Sequence, residues 1–253
     1  MRYNKKNEIH KSEALMNVKA VLFDLDGTLL PMDQDLFIKA YFGGLAKKLA
    51  PLGYEPNALI DAIWSGTASM IKNDGNRTNE EVFWDVFCRK LGLSERNDES
   101  TFDEFYKVEF QEVQKVCGFD GRAAEIVRRL HDAKIPVVLA TNPIFPAVAT
   151  ESRMRWAGLC PEDFVLYTTY ENIGYCKPNP AYYTEITRRL GLLPEECVMV
   201  GNDVGDDMVA ADLGMRVFLL TDCLINKKNA DLSAFPHGDF DALARYLEDL
   251  LRQ

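Results

Sequence analysis

The stretch Val18-Lys19-Ala20-Val21-Leu22-Phe23-Asp24-Leu25-Asp26-Gly27-Thr28-Leu29 decides how the rest of the chain is read. Val18 to Phe23 is a short apolar, β-branched run, which predicts a buried strand. It passes directly into two carboxylates two positions apart. Gly27 then allows the backbone to turn sharply. Acids at the carboxyl end of a strand stand where open α/β sheets bind ligands. Read alone, the segment is better taken as an acidic turn. It is not a helix–loop–helix calcium loop, which needs its glycine at the sixth position and a glutamate at the twelfth.

Working outward, four more runs have strand character: Ile135 to Ala140, Phe164 to Tyr167, Cys197 to Val200 and Arg216 to Leu220. Continuous apolar strands of this kind suit a parallel sheet covered on both faces. Helical patterns lie between them. Ala123, Ile126, Val127 and Leu130 form one apolar stripe. Further helices are expected over PAYYTEITRRL before Gly191, over Asp206 to Leu213, and over Asp239 to Leu251. The alternation predicts an α/β fold, a doubly wound parallel sheet.

From Asp33 to Cys117 no strand is apparent, and the segment is far too long for a loop. Thr78-x-x-Glu81 and Thr101-x-x-Glu104 both read as capping boxes. Phe102, Phe105, Tyr106, Phe110, Val113 and Val116 are placed on one helical face. Trp64, Phe83, Trp84 and Phe87 are assigned to the core of the same bundle in preference to a ligand cage. The division that follows is a polar tail at 1–17, an α/β core at 18–32 and 118–253, and an inserted α-helical domain at 33–117.

Composition narrows the function. The 253 residues carry a net charge of −10, which disfavours a nucleic-acid partner. No apolar run reaches the ~18 residues that span a membrane. The six cysteines (88, 117, 160, 176, 197 and 223) form no C-x-x-C pair and read as reduced thiols of a cytoplasmic protein. The opening residues lack the apolar core of a secretory signal, and Met1 and Met16 are both candidate starts.

Three further segments fall at the same predicted sheet edge as Asp24. Thr141-Asn142 ends the second strand, Lys177-Pro178 follows the third, and Gly201-Asn202-Asp203-Val204-Gly205-Asp206-Asp207 ends the fourth. Singly they are a helix cap, a surface lysine and a solvated loop. Together, each after a strand and in this order, they make the chain similar to the haloacid dehalogenase-like (HAD) superfamily of phosphohydrolases. Asp24 to Leu29 resembles that family's first motif, Thr141-Asn142 its second, Lys177-Pro178 its third and Gly201 to Asp207 its fourth. The helical insert occupies the place of the family's cap.

The resemblance implies a Rossmann-like HAD core and roles for single residues. Asp24 is the expected nucleophile, forming an aspartyl-phosphate, and Asp26 the general acid and then base. Thr141, Asn142 and Lys177 are expected to bind the phosphate. Asp24, the backbone carbonyl of Asp26 and Asp203 are expected to hold Mg²⁺, with Asp207 supporting Lys177. Asn202 stands where the commoner motif has its first aspartate, and Asp206 remains an alternative ligand. The chemistry asks for such groups independently, because a carboxylate can approach a phosphate only where cations offset the repulsion. No Cys/His cluster suggests zinc. His10, His131 and His237 lie outside all four motifs.

Asp26 places the chain with the phosphatases and phosphomutases of the family, since the dehalogenase and phosphonatase branches lack it. A phosphatase acting on a small soluble phosphomonoester is the first reading. A phosphomutase of the β-phosphoglucomutase type and a non-catalytic phosphate-binding module are the alternatives. The resemblance carries no oligomeric state and no substrate.

Overall fold

A computed structural model describes residues 18–96 and 98–252. The tail at 1–17, with His10 and Met16, lies outside the described residues. Six parallel strands form one sheet: β1 Ala20–Phe23, β2 Val137–Leu139, β3 Leu166–Tyr167, β4 Cys197–Gly201, β5 Arg216–Leu220 and β6 His237–Gly238. Their order is β3-β2-β1-β4-β5-β6. β1 is the inner strand from which the winding departs in both directions, and Val21 pairs with Val137 on one side and Val198 on the other. Ligands of open sheets collect at the carboxyl edge of such a switch point.

Alternate residues of β1 enter two different apolar cores. Val21 and Phe23 pack in the cluster that includes Ile126, Met154 and Leu243. Ala20 and Leu22 pack with Tyr182, Tyr183 and Ile186. The period of two in strand side chains thus builds both faces of a doubly wound sheet. The covering helices are α5 Gly121–Asp132, α6 Ala147–Trp156, α7 Pro180–Leu190 and α8 Phe240–Leu251. Asn179 caps α7 at its start, and Gly191 ends it in a left-handed conformation.

The segment between β1 and α5 is helical: α1 Gln34–Leu49, α2 Pro56–Ile71, α3 Asn79–Leu91, α4 Glu99–Lys107, then a 3₁₀ stretch over Glu109–Val116. The capping box at Thr78 and Glu81 is present. The one expected at Thr101 is not: α4 starts earlier, after Asp98, whose carbonyl accepts the Thr101 N–H, so Thr101 lies within the first turn. Phe102, Phe105, Tyr106, Phe110 and Val113 are all buried, but on two elements, because the helix breaks at Val108. The helix expected over 206–213 is a 3₁₀ turn at Met208–Leu213. The two-residue strand β6 is too short to leave a pattern in the sequence.

The insert shares its core with the sheet. Leu45, Leu59, Phe87 and Phe105 belong to the same apolar cluster as Val21, Phe23 and Leu139. Its two chain crossings run side by side, where Met32 and Cys117 form an antiparallel bridge and the Gly118 N–H donates to the Pro31 carbonyl at 2.7 Å. A second seam lies at the start of α3. Asn79 is fully buried, and its Nδ2 lies 3.2 Å from both the Pro143 carbonyl and Cys176 Sγ. Those two residues are the neighbours of Asn142 and Lys177. Gly174 permits this approach, since a Cβ there would sit 2.3 Å from the Arg77 carbonyl oxygen. Among the described residues no helix is long and apolar enough to cross a membrane.

Candidate active site

The site begins with the turn that leaves β1. The Asp24 N–H donates to the Val200 carbonyl at 2.9 Å, which fixes the first carboxylate beside the end of β4. Gly27 then adopts φ +86°, and a Cβ there would lie 2.3 Å from Asn202 Nδ2. A left-handed conformation in contact with a buried amide leaves glycine as the residue that fits. Asn202 is 1% exposed. It accepts from Thr28 Oγ1 at 3.0 Å and donates to the Cys223 carbonyl at 2.6 Å. Its amide is therefore committed to bracing the first turn against the fourth.

Lys177 links two of the other expected residues. Its Nζ donates to Asp24 Oδ1 and to Asp207 Oδ1, both at 2.7 Å, and its side chain is almost wholly buried. Burial acts to lower the lysine pKa, but the carboxylates of Asp207 and Asp24 outweigh it and hold the group well above its usual range. The ammonium is thus fixed against the oxygen of Asp24. Asp207 is fully engaged, since its Oδ2 also accepts the Asp203 N–H at 2.9 Å.

Thr141, Asn142, Lys177, Asp24 and Asp203 line one polar cavity of about 170 Å³ at the carboxyl edge of the sheet. Asn142 Oδ1 accepts the Lys177 N–H at 3.3 Å, so the two loops are held in register. Tyr182 Oη and Thr168 Oγ1 both donate to the Thr141 carbonyl, at 2.8 and 2.7 Å. Lys227 also faces this cavity. No motif marks it, because it lies in a long loop after β5.

Asp26 has a partner that the sequence does not indicate. Arg153 on α6 is fully buried and pairs through Nη1 with Asp26 Oδ2. Its Nε and Nη2 donate to the Ala149 carbonyl and to Thr150 Oγ1, each at 3.3 Å. The guanidinium lies 4.4 Å from the centre of the Phe145 ring. Asp26 Oδ1 is buried without a hydrogen-bond partner. Burial raises the Asp26 pKa above the usual carboxylate value, Arg153 pulls it down, and Asp24 adds to the rise. The net direction is upward, toward a carboxyl able to carry a proton.

The donor set suits the cation that the sequence implies. Among the described residues no three carboxylate, histidine or cysteine side chains gather to hold a metal by themselves. Magnesium does not need them, because it keeps several waters and takes one or two carboxylates. Asp203 lines the cavity while its Oδ1 accepts the Gly205 and Asp206 N–H groups at 2.7 and 3.1 Å. The Asp206 carboxyl is raised by burial, then by the charges of Asp203 and Asp24. Crowded carboxylates of this sort fit a hard divalent cation. Among the described residues no histidine or cysteine lines this cavity, so its donors are oxygen and amine groups and not the nitrogen and sulfur ligands typical of zinc.

Known proteins of similar sequence and fold point to one family. A hexitol phosphatase A of Escherichia coli (strain K12) is 27% identical over 236 residues, covering 93% of this chain and 94% of that protein. A phosphoglycolate phosphatase of Vibrio vulnificus (strain CMCP6) is 25% identical over 92% of this chain and 96% of its own length. The crystal structure of a HAD phosphatase from Thermococcus onnurineus superposes with a TM-score of 0.56 at 20% identity, covering 91% of this chain and 98% of that one. The profile of the haloacid dehalogenase-like hydrolases matches residues 18–214. With the four loops meeting at one sheet edge and an inserted cap above them, the chain belongs to the haloacid dehalogenase-like hydrolases, in the branch whose curated relatives are phosphatases.

Proposed function

We propose that the chain is a Mg²⁺-dependent phosphohydrolase that removes phosphate from a small phosphomonoester through an aspartyl-phosphate on Asp24. One observation carries this reading: Lys177 is buried and bonded at 2.7 Å to both Asp24 and Asp207, beside Thr141 and Asn142. That arrangement supports reading Asp24 as the nucleophile, with a fixed cation and phosphate-binding groups beside it.

Asp24 attacks phosphorus, and the bond from phosphorus to the ester oxygen breaks. Asp26, in its protonated form, gives its proton to the departing oxygen, so that an alcohol leaves. The Asp26 carboxylate then takes a proton from water, whose oxygen attacks the same phosphorus. The bond to Asp24 breaks, and inorganic phosphate and free Asp24 result. Lys177 offsets negative charge on the phosphoryl oxygens, while Thr141 and Asn142 orient them. Bound Mg²⁺ would neutralise charge shared by nucleophile and phosphate, held by Asp24, the Asp26 carbonyl and Asp203. Asp207 keeps Lys177 in place.

The test is a panel of phosphate esters with Mg²⁺, reading free phosphate and sugar-phosphate isomers together. Release of phosphate is expected. Isomer formation without phosphate release would replace the hydrolase with a mutase, and binding without turnover would leave only a binding module.

The fourth loop gives a sharper result. Asp203→Asn is expected to raise the Mg²⁺ concentration for half-maximal activity by on the order of 10–100-fold or more, as loss of a metal-site carboxylate does. Asn202→Ala should leave that concentration nearly unchanged. It should instead lower stability by about 1–3 kcal/mol, because Thr28 and the Cys223 carbonyl lose their partner. A magnesium titration and a urea melt of each variant decide the assignment. A larger magnesium shift from Asn202→Ala would move the ligand to position 202.

A further inference from the structure

The phosphoryl cavity does not end at Asp26. Asp26, Gln34 and Ile144 also line a second cavity of about 170 Å³, lying between the inserted helices and the core. Its walls include Phe37, Trp64, Phe83, Trp84, Tyr106 and Phe145. A phosphomonoester with its phosphoryl group beside Asp24 must place its leaving group past Asp26, and this chamber is what lies there.

Beyond Asp26, its polar lining is Gln34 and Asp103, both exposed, with Thr67 and three tyrosine hydroxyls. Tyr41 Oη and Tyr106 Oη are bonded to each other at 2.9 Å, and Thr67 Oγ1 donates to the Ile63 carbonyl at 2.9 Å. A polyol chain lying on the aromatic walls would leave hydroxyls without partners, and each such group carries a desolvation cost. At the junction, Asp26 Oδ1 is buried without a hydrogen-bond partner. It is an atom of the proposed acid, beside the ester oxygen. As to size, an apolar cavity of about 150 Å³ is known to take one benzene ring.

We infer that the chamber selects the phosphate ester of an arylalkyl alcohol, one ring in size, over the phosphates of polyols and hydroxy acids. This rests on the phosphohydrolase reading and adds the substrate class to it. The ring is held by apolar contact and edge-to-face stacking on the aromatic walls. Specificity comes from the cost of burying hydroxyls as much as from the fit of the ring.

The test compares primary-alcohol esters, so that leaving-group basicity is nearly matched: 2-phenylethyl phosphate against glucitol 6-phosphate, glycerol 3-phosphate and phosphoglycolate. The kcat/KM for 2-phenylethyl phosphate is expected to exceed the others by about 30-fold or more, the size of one buried ring. Trp64 is half-exposed, so Trp64→Ala should keep the fold; it should narrow that ratio about tenfold. In parallel, binding of 2-phenylethanol alone is followed by saturation-transfer NMR, which needs no phosphoryl chemistry. Equal or faster turnover of glucitol 6-phosphate, or no binding of 2-phenylethanol, overturns the inference and leaves the hydrolase standing. Binding of 2-phenylethanol with no phosphate released from any ester supports the chamber's selectivity and overturns the hydrolase.

Discussion

Asp24→Asn is expected to lower turnover by about 10⁴-fold or more, the scale on which hydrolytic enzymes lose activity with their nucleophile. The substitution keeps the side-chain volume and still lets one oxygen accept from Lys177. What it removes is the anionic oxygen that forms the bond to phosphorus. Lys177 retains Asp207, bonded at 2.7 Å, so the buried ammonium does not lose its counter-charge. A circular dichroism melt should therefore stay close to the parent while single-turnover phosphate release disappears. Full activity in a homogeneous preparation of the Asp24→Asn variant would show that the phosphoryl group is transferred directly to water.

Arg153→Met is expected to cost about 3–5 kcal/mol of stability, the range for removing one member of a buried ion pair. Arg153 is 1% exposed in its side chain and pairs with Asp26. Methionine fills much of the volume beside Phe145 but leaves the Asp26 carboxylate without its cation. The effect should depend on pH, with a definite sign. Asp26 already titrates above its ordinary value because of burial, and Arg153 opposes that rise. A carboxyl whose folded pKa lies above the unfolded one stabilises the fold only while protonated. Its contribution is full below the unfolded value and is lost as pH rises through the folded value. Without Arg153 the folded value moves higher still, so the deficit should grow as pH rises from the parent's folded value, itself above the ordinary carboxylate value, to that of the variant. Urea unfolding at pH 5 and pH 8 measures it, and the double variant with Asp26→Asn should recover much of the loss. If single and double variants are equally unstable, the guanidinium acts through its packing on Phe145. Activity should fall by about 10²–10⁴-fold in the single variant, since the acid loses its position.

The difference between what the sequence shows and what it hides follows from how each residue is fixed. Asp24, Thr141, Lys177 and Asp207 sit at strand ends or in loops at one edge, where residue type and order along the chain announce a site. The sheet then brings them together: Lys177 reaches both Asp24 and Asp207. Arg153 has no such mark. It is one arginine in AVATESRMRW, and only the packing of α6 against the first turn makes it the partner of Asp26. The aromatic residues are ambiguous in another way. Phe87 is core, as expected, but Trp64 is 48% exposed, and Trp64, Phe83 and Trp84 face the second cavity. Helical spacing places such residues on an inner face; it does not show whether that face is filled. At Thr101 a capping signature does not fix its own register, because Asp98 competes three residues earlier.

The inner position of β1 also shapes how the chain can assemble. Val21 is made early, yet its partners are Val137 and Val198. The inserted helices have local backbone hydrogen bonds, whereas each pairing of β1 must first close a very long loop. During synthesis the strand carrying the proposed nucleophile therefore has no neighbour on either side until well after the helical insert has emerged. For that interval both of its edges are open, as AVLF followed by two acids. The carboxylates of Asp24 and Asp26, set directly behind so short an apolar run, are the kind of charge that discourages unpaired strand edges from joining other chains. The pair proposed to carry out the chemistry in the finished protein would thus also guard its least protected segment before the fold exists.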